Sequence, residues 1–205
     1  MRISHLYRNE LRLVRGEYRN WIIIVGVFFS LVAAGSYLYL TANPADADRI
    51  LGLAESKLPQ INSGEGIIGI VLRRNLLATA LITFSGFFTF GLLPLANIAV
   101  NAFIIGTLLN ILSIRMAVSP FRVIFFGILP HGLFEIPALV LAGALGIRLG
   151  AAVLRRLAGR SDKPLTAYLG ESARTFGLVI VPLLLLAAII EGTLTINLIN
   201  FFLNP

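Results

Sequence analysis

The chain has 205 residues, 57% of them hydrophobic and 13% charged, with a mean hydropathy of +0.87; soluble domains run at about 45–50% apolar and about 25% charged, so the composition excludes an ordinary soluble domain and defines an integral membrane protein. Cysteine is absent, which excludes disulfides, thiolate metal centres and cysteine nucleophiles. The formal net charge of +7 comes largely from arginines flanking apolar segments, a signature of membrane topology rather than of nucleic-acid binding.

Residues 1–20 form a basic N-terminal segment, in which Arg2, Arg8, Arg12, Arg15 and Arg19 surround Glu10 and Glu17. Leu6, Leu11 and Val14 give it a helical apolar face suited to the anionic cytoplasmic leaflet; a plain positive-inside flank accounts for the arginines equally well. The rest, 21–205, reads as a single transmembrane domain. Its first span, 21–40, "WIIIVGVFFSLVAAGSYLYL", has the length a bilayer requires. It exceeds the apolar core of a signal peptide, which predicts an uncleaved helix with a cytoplasmic N-terminus.

Residues 41–74 carry Asp46, Asp48, Glu55, Lys57 and Glu65, with breakers at Asn43–Pro44 and Ser63–Gly64, and read as an extracytoplasmic loop. From Asn75 to Ser113 the chain is free of charge for about 39 residues, about twice what one crossing needs. Two spans are predicted, 75–92 and 97–113, with a turn near Gly91 and Pro94. Asn97 and Asn101, with Asn110 further on, serve either interhelical hydrogen bonding or solute coordination, and the first is favoured.

Ser119–Pro120 is a helix start, with serine as cap and proline in the first turn. A continuous helix from there to Leu157 would reach about 57 Å, so a break is expected at Gly127, Pro130 and Gly132. This predicts a short half-helix at 120–129, re-entrant or interfacial, and a full span at 130–153. A basic cytoplasmic loop at 154–174 follows, with Arg155, Arg156, Arg160 and Lys163 beside Asp162 and Glu171. The last span, 176–194, leads to the tail "INLINFFLNP" and an extracytoplasmic C-terminus. Arg73, Arg74, Arg115 and Arg122 fall on the outer side and run against the charge rule.

The fold class is therefore all-α: a polytopic transmembrane bundle of about five spans plus the half-helix before His131. Within it, His131 and Glu135 lie four apart, on one helix face and one turn from each other. An ionisable group at membrane depth costs about 2.5–3.5 kcal/mol even on translocon scales, so the pair should face the interior. Freed backbone at the break would share that place. Glu191, Asn75 and Asn101 are expected in the same polar pocket. The readings of the pair are a structural hydrogen-bonded link, proton or ion handling, and hydrolysis, with the first favoured. Zinc fails on supply, because a catalytic site takes three protein ligands and the other histidine, His5, precedes the first span. No metal or cofactor is expected, and no catalytic residue is nominated: Ser85 next to Gly86 lacks a nucleophile elbow. Gly146 and Gly150, with Ala142 one turn earlier, form a small-residue stripe for close helix packing, either within the chain or across a homodimer.

From about Arg74 onward these features resemble the stage II sporulation protein M family. The segment "LPHGLFEIPALVLAGALGIRLG" is similar to that family's His-Gly-x-x-Glu helix with its Ala-Gly-rich exit. Asn75 opening the second span, Asn101 with Gly106 in the third, and Glu191 after "LLAAII" fit as well; Ala102 stands where the family commonly has glycine after the asparagine. The resemblance implies a multi-pass protein of the cytoplasmic membrane that acts non-enzymatically, as a scaffold or assembly factor in membrane or envelope remodelling. The family's named member is implied to anchor peptidoglycan-degrading enzymes during engulfment. The expected partners are the lipid bilayer, a second copy of the chain, and envelope or cell-wall-remodelling proteins, with no nucleic acid. The alternatives are a small-solute or ion channel or transporter built on the broken helix at His131 and Glu135, and, more weakly, an intramembrane hydrolase.

Overall fold

The computed structural model describes residues 3–57, 66–115, 119–161 and 163–195. Arg2, the Ser63–Gly64 break, Asp162 and the tail from Ile196 lie outside the described residues. No strand occurs among the described residues; the helices are α1 (Ile3–Arg15), α2 (Arg19–Ala42), α3 (Pro44–Lys57), α4 (Ile67–Thr89), α5 (Leu92–Asn110), α6 (Pro120–Arg122), α7 (Leu129–Leu157), α8 (Leu165–Thr175) and α9 (Val181–Ile190). Among the described residues, five helical segments are long and apolar enough to cross a membrane.

Helix α7 is the axis of the bundle. Of its apolar span 72% is buried, against 17–28% for the other four, and α2, α4, α5 and α9 all pack on it. The cause is its small residues. An added Cβ at Gly146 would meet the Ile82 carbonyl and the Pro94 ring, and one at Gly150 would overlap the Phe90–Gly91 backbone. The stripe formed with Ala142, which is fully buried, is thus filled from within the chain by α4 and α5. Outward-facing Ile23, Ile24, Val27, Leu31 and Leu38 on α2 are exposed, the surface expected of a helix solvated by lipid rather than water.

Asn75 of α4 meets Glu135 and Gly86 of α4 meets Gly146, so α4 and α7 run parallel. Contacts of Ile98 with Gly143 and Pro94 with Gly146 make α5 antiparallel to α7, and Gly26 beside Val140 with Glu17 beside Arg148 does the same for α2. One end of the bundle therefore gathers Glu17, the α4–α5 turn and Arg148; the other gathers Asn75, His131 and Glu135.

Several boundaries differ from the sequence expectation. The segment predicted as a loop at 41–74 holds α3 and the first two turns of α4; α4 starts early because Arg73 and Arg74 are exposed and long arginine stems let a helix continue past its apolar stretch. The fourth span runs on to Leu157, not 153, and ends in a glycine cap: Gly159 takes φ 68°, its N–H bonds the Arg156 carbonyl at 3.1 Å, and the Arg160 N–H bonds that of Arg155 at 2.8 Å, the Schellman pattern. The last span starts at Leu165 rather than 176, so the predicted basic loop at 154–174 is mostly helix. Between α4 and α5 the turn falls at Phe90 and Gly91, with φ of 54° and 88°, and Pro94 sits in the first turn of α5.

The half-helix at 120–129 is not a separate element. α6 passes into a π-helical stretch, Val123–Ile128, and then directly into α7. The Leu129 N–H bonds the Ile124 carbonyl, five residues back, and Pro130 follows. The same device recurs at Phe176–Ile180, where the Val181 N–H bonds the Phe176 carbonyl just before Pro182. Proline has no N–H to give and its ring crowds the carbonyl four residues earlier. A widened turn moves that carbonyl aside and lets the helix continue.

Candidate functional site

At the far end from the α4–α5 turn, four elements converge. His131 and Glu135 come from one face of α7, and Glu191 opens a π-helical turn, Glu191–Thr195, that extends α9. One ligand atom from each of the three side chains lies within 4.8 Å of the others. Asn75 of α4 hydrogen-bonds the Glu135 side chain. Asn101 of α5 lines the same space but donates to the Asn97 carbonyl of its own helix at 2.8 Å. Both helices that bring ionisable groups are π-wound beside them, and these two π-turns touch; such turns recur at functional sites.

Two cavities meet at Glu135. One, of about 10 Å³, lies among Asn75, Thr79, Asn101 and Glu135, about the space of a single water. The other, of about 160 Å³, is bounded by Asn101, His131 and Glu135 and walled by Ile104, Leu108 and Ile128. Ile104 and Leu108 are exposed, so this cavity lies near the lateral face of the bundle. Ser85 is elsewhere. Its neighbour Gly86 packs on Gly146, which the helix rise places about 22 Å along α7 from His131, so His131 is not a base for this serine.

Asn110 clamps α5 to α2, donating to the Tyr37 carbonyl at 3.1 Å and to Thr41 Oγ1 at 2.9 Å. Among the described residues, the Asn97 side chain bonds within its own helix, donating to the Leu93 carbonyl.

The opposite end holds an ionic clasp that a reading of the sequence as flanking charge misses. Arg148 is 3% exposed, and its Nη2 donates to Glu17 at 2.8 Å and Glu171 at 2.6 Å. The guanidinium lies between the rings of Tyr18 and Tyr168, 4.8 and 4.7 Å from their centroids. Lys163 joins both acids. Glu10, fully buried, pairs with Arg174 and accepts a hydrogen bond from Thr175 at 2.7 Å. α1 is thus fastened to the bundle through Glu10, with Arg8, Arg12 and Arg15 left outward. The available signal was an arginine inside the small, uncharged run "ALGIRLGAAV", since an intramembrane charge demands a partner.

The clasp should loosen in alkali. Burial pushes the Tyr18 phenol above its ordinary 10.0. For the Lys163 ammonium, burial acts downward, but its bonds to Glu171 and Glu17 outweigh this and raise it above 10.5. Both folded-state values lie above the unfolded ones, so their stabilisation is complete below about pH 10 and is lost as pH rises through the folded values. Emission from Trp21, the single tryptophan, should hold steady between pH 7 and 9 and change above 10.

Four apolar helical segments packed around a buried fifth, with a polar cluster among them, define a multi-pass α-helical membrane protein. The family model described as "Stage II sporulation protein M" matches residues 21–196, and the chain belongs to that family. It is also 31% identical over 130 residues to the "Uncharacterized protein MJ0793" of Methanocaldococcus jannaschii, an alignment covering 63% of this chain and 72% of the relative. No solved structure matches.

Proposed function

We propose that this protein is a membrane scaffold or assembly factor in membrane or envelope remodelling, working without catalysis, as its family membership suggests. The observation that supports this reading is the clasp: it fixes a basic helix, α1, to one end of the bundle and leaves Arg8, Arg12, Leu11 and Arg15 outward. A rigidly held basic and apolar face suits the recruitment of acidic partners. In cells lacking the native protein, a chain with Arg8, Arg12 and Arg15 changed to glutamate should reach the membrane at normal levels yet fail to restore the remodelling defect. Full restoration by that variant would overturn the scaffold reading.

The reading places the clasp end in the cytoplasm and the end with His131 outside, following the excess of arginine near the clasp. Introduced into the cysteine-free chain, cysteines at Arg8 and Arg160 should resist an impermeant thiol reagent in intact cells, while one at Asp46 should react. Labelling at position 160 from outside would reverse the arrangement.

A second reading, movement of an ion or small solute, is favoured by the cavity of about 160 Å³ beside His131 and Glu135. Purified protein in liposomes should then support a flux that His131→Ala abolishes.

A further inference from the structure

We infer that His131, Glu135 and Glu191 form a binding site for a first-row divalent cation of the zinc class. A single histidine cannot supply such a site, but the fold brings in the missing donor. Glu191, 56 positions beyond Glu135 in the chain, arrives so that an imidazole nitrogen and two carboxylate oxygens lie within 4.8 Å of one another. Donors around a tetrahedral zinc at 2.0–2.1 Å stand about 3.3 Å apart, so modest side-chain rotation closes the set on an ion. One nitrogen with two oxygens suits zinc, manganese or ferrous iron better than calcium or magnesium, which take oxygen alone.

Three other features agree. Two carboxylates this close repel each other inside an apolar bundle, and a dication balances both charges. Asn75 hydrogen-bonds Glu135, the kind of outer support that orients a ligating carboxylate. The cavity of about 160 Å³ bordered by His131 and Glu135 leaves room for water as a fourth ligand, the open position that distinguishes a working site from a closed structural one. The ion would also join α7 to the end of α9, whatever α1 recruits.

The test uses the full chain in detergent, stripped with chelator and titrated with zinc alone, with bound metal counted by mass spectrometry and affinity measured by calorimetry. One zinc per chain is expected. His131→Ala and Glu191→Gln should each weaken binding beyond about 100-fold, the upper end for losing an outer partner, and Asn75→Ala by about 10-fold. Glu135→Gln keeps an acceptor for Asn75 and should elute as a folded protein while losing the ion. Asp46→Asn, at a half-buried site bonded to Tyr39 and Arg49, should bind as wild type. Failure of the wild-type chain to retain zinc, or equal retention by folded Glu135→Gln and Glu191→Gln, would overturn the site.

Discussion

Arg148→Leu is expected to lower stability by about 3 kcal/mol, the low end for removing one partner of a buried ion pair. The loss comes less from the arginine than from what it leaves behind. The Glu171 side chain is only 18% exposed and sits 2.6 Å from the guanidinium, so it would remain buried with Lys163 alone at 2.7 Å; that residual partner is why the cost stays at the low end. The rings of Tyr18 and Tyr168 would lose the cation between them, each such contact being worth about 0.5–2 kcal/mol. Arg148→Lys keeps the charge but not the planar fork that reaches two acids while stacking on two rings, so it should fall between wild type and leucine. Thermal unfolding in detergent, followed through Trp21, reports directly, because that residue is half-buried against the core cluster to which Tyr18 belongs. A leucine variant melting with the wild type would show that the clasp does not hold the bundle.

Gly86→Leu should abolish the packed bundle altogether. A Cβ at Gly86 would overlap the backbone of Gly146, and that backbone belongs to the most buried helix of the protein. Overpacking usually costs about 1–3 kcal/mol when side chains can yield, but here the obstacle is a main-chain carbonyl, and α4 would have to leave α7. Gly35 and Gly69 provide the controls, since nothing lies within 4 Å of a Cβ at either. Size-exclusion chromatography of membrane extracts should show Gly86→Leu aggregated or absent, and Gly35→Leu and Gly69→Leu as wild type. A monodisperse Gly86→Leu protein would mean that the α4–α7 seam is not as close as described.

By itself the sequence determined the crossings, the turn near Gly91 and the shared face of His131 and Glu135. These depend on local quantities: the apolar length that spans hydrocarbon, the left-handed backbone glycine permits, and the helical repeat that aligns residues four apart. It also marked Ala142, Gly146 and Gly150 as a packing stripe, though not which surface fills it. Helix ends were less legible, because Pro130 looks like a break in the sequence whereas a π-turn ahead of it carries the helix through.

Tertiary structure alone decided the pairings. The parallel run of α4 beside α7 carries Asn75 to Glu135, and the antiparallel return of α9 carries Glu191 to the same place; neither register is encoded in the spacing of any one helix. The clasp was hidden for a related reason. An arginine or glutamate beside a span has the same local signature whether it reaches for lipid headgroups and water or turns inward to a partner, and only the packing of α1 on the start of the last span and of α8 on α7 sets Glu10 against Arg174 and Arg148 against Glu17 and Glu171.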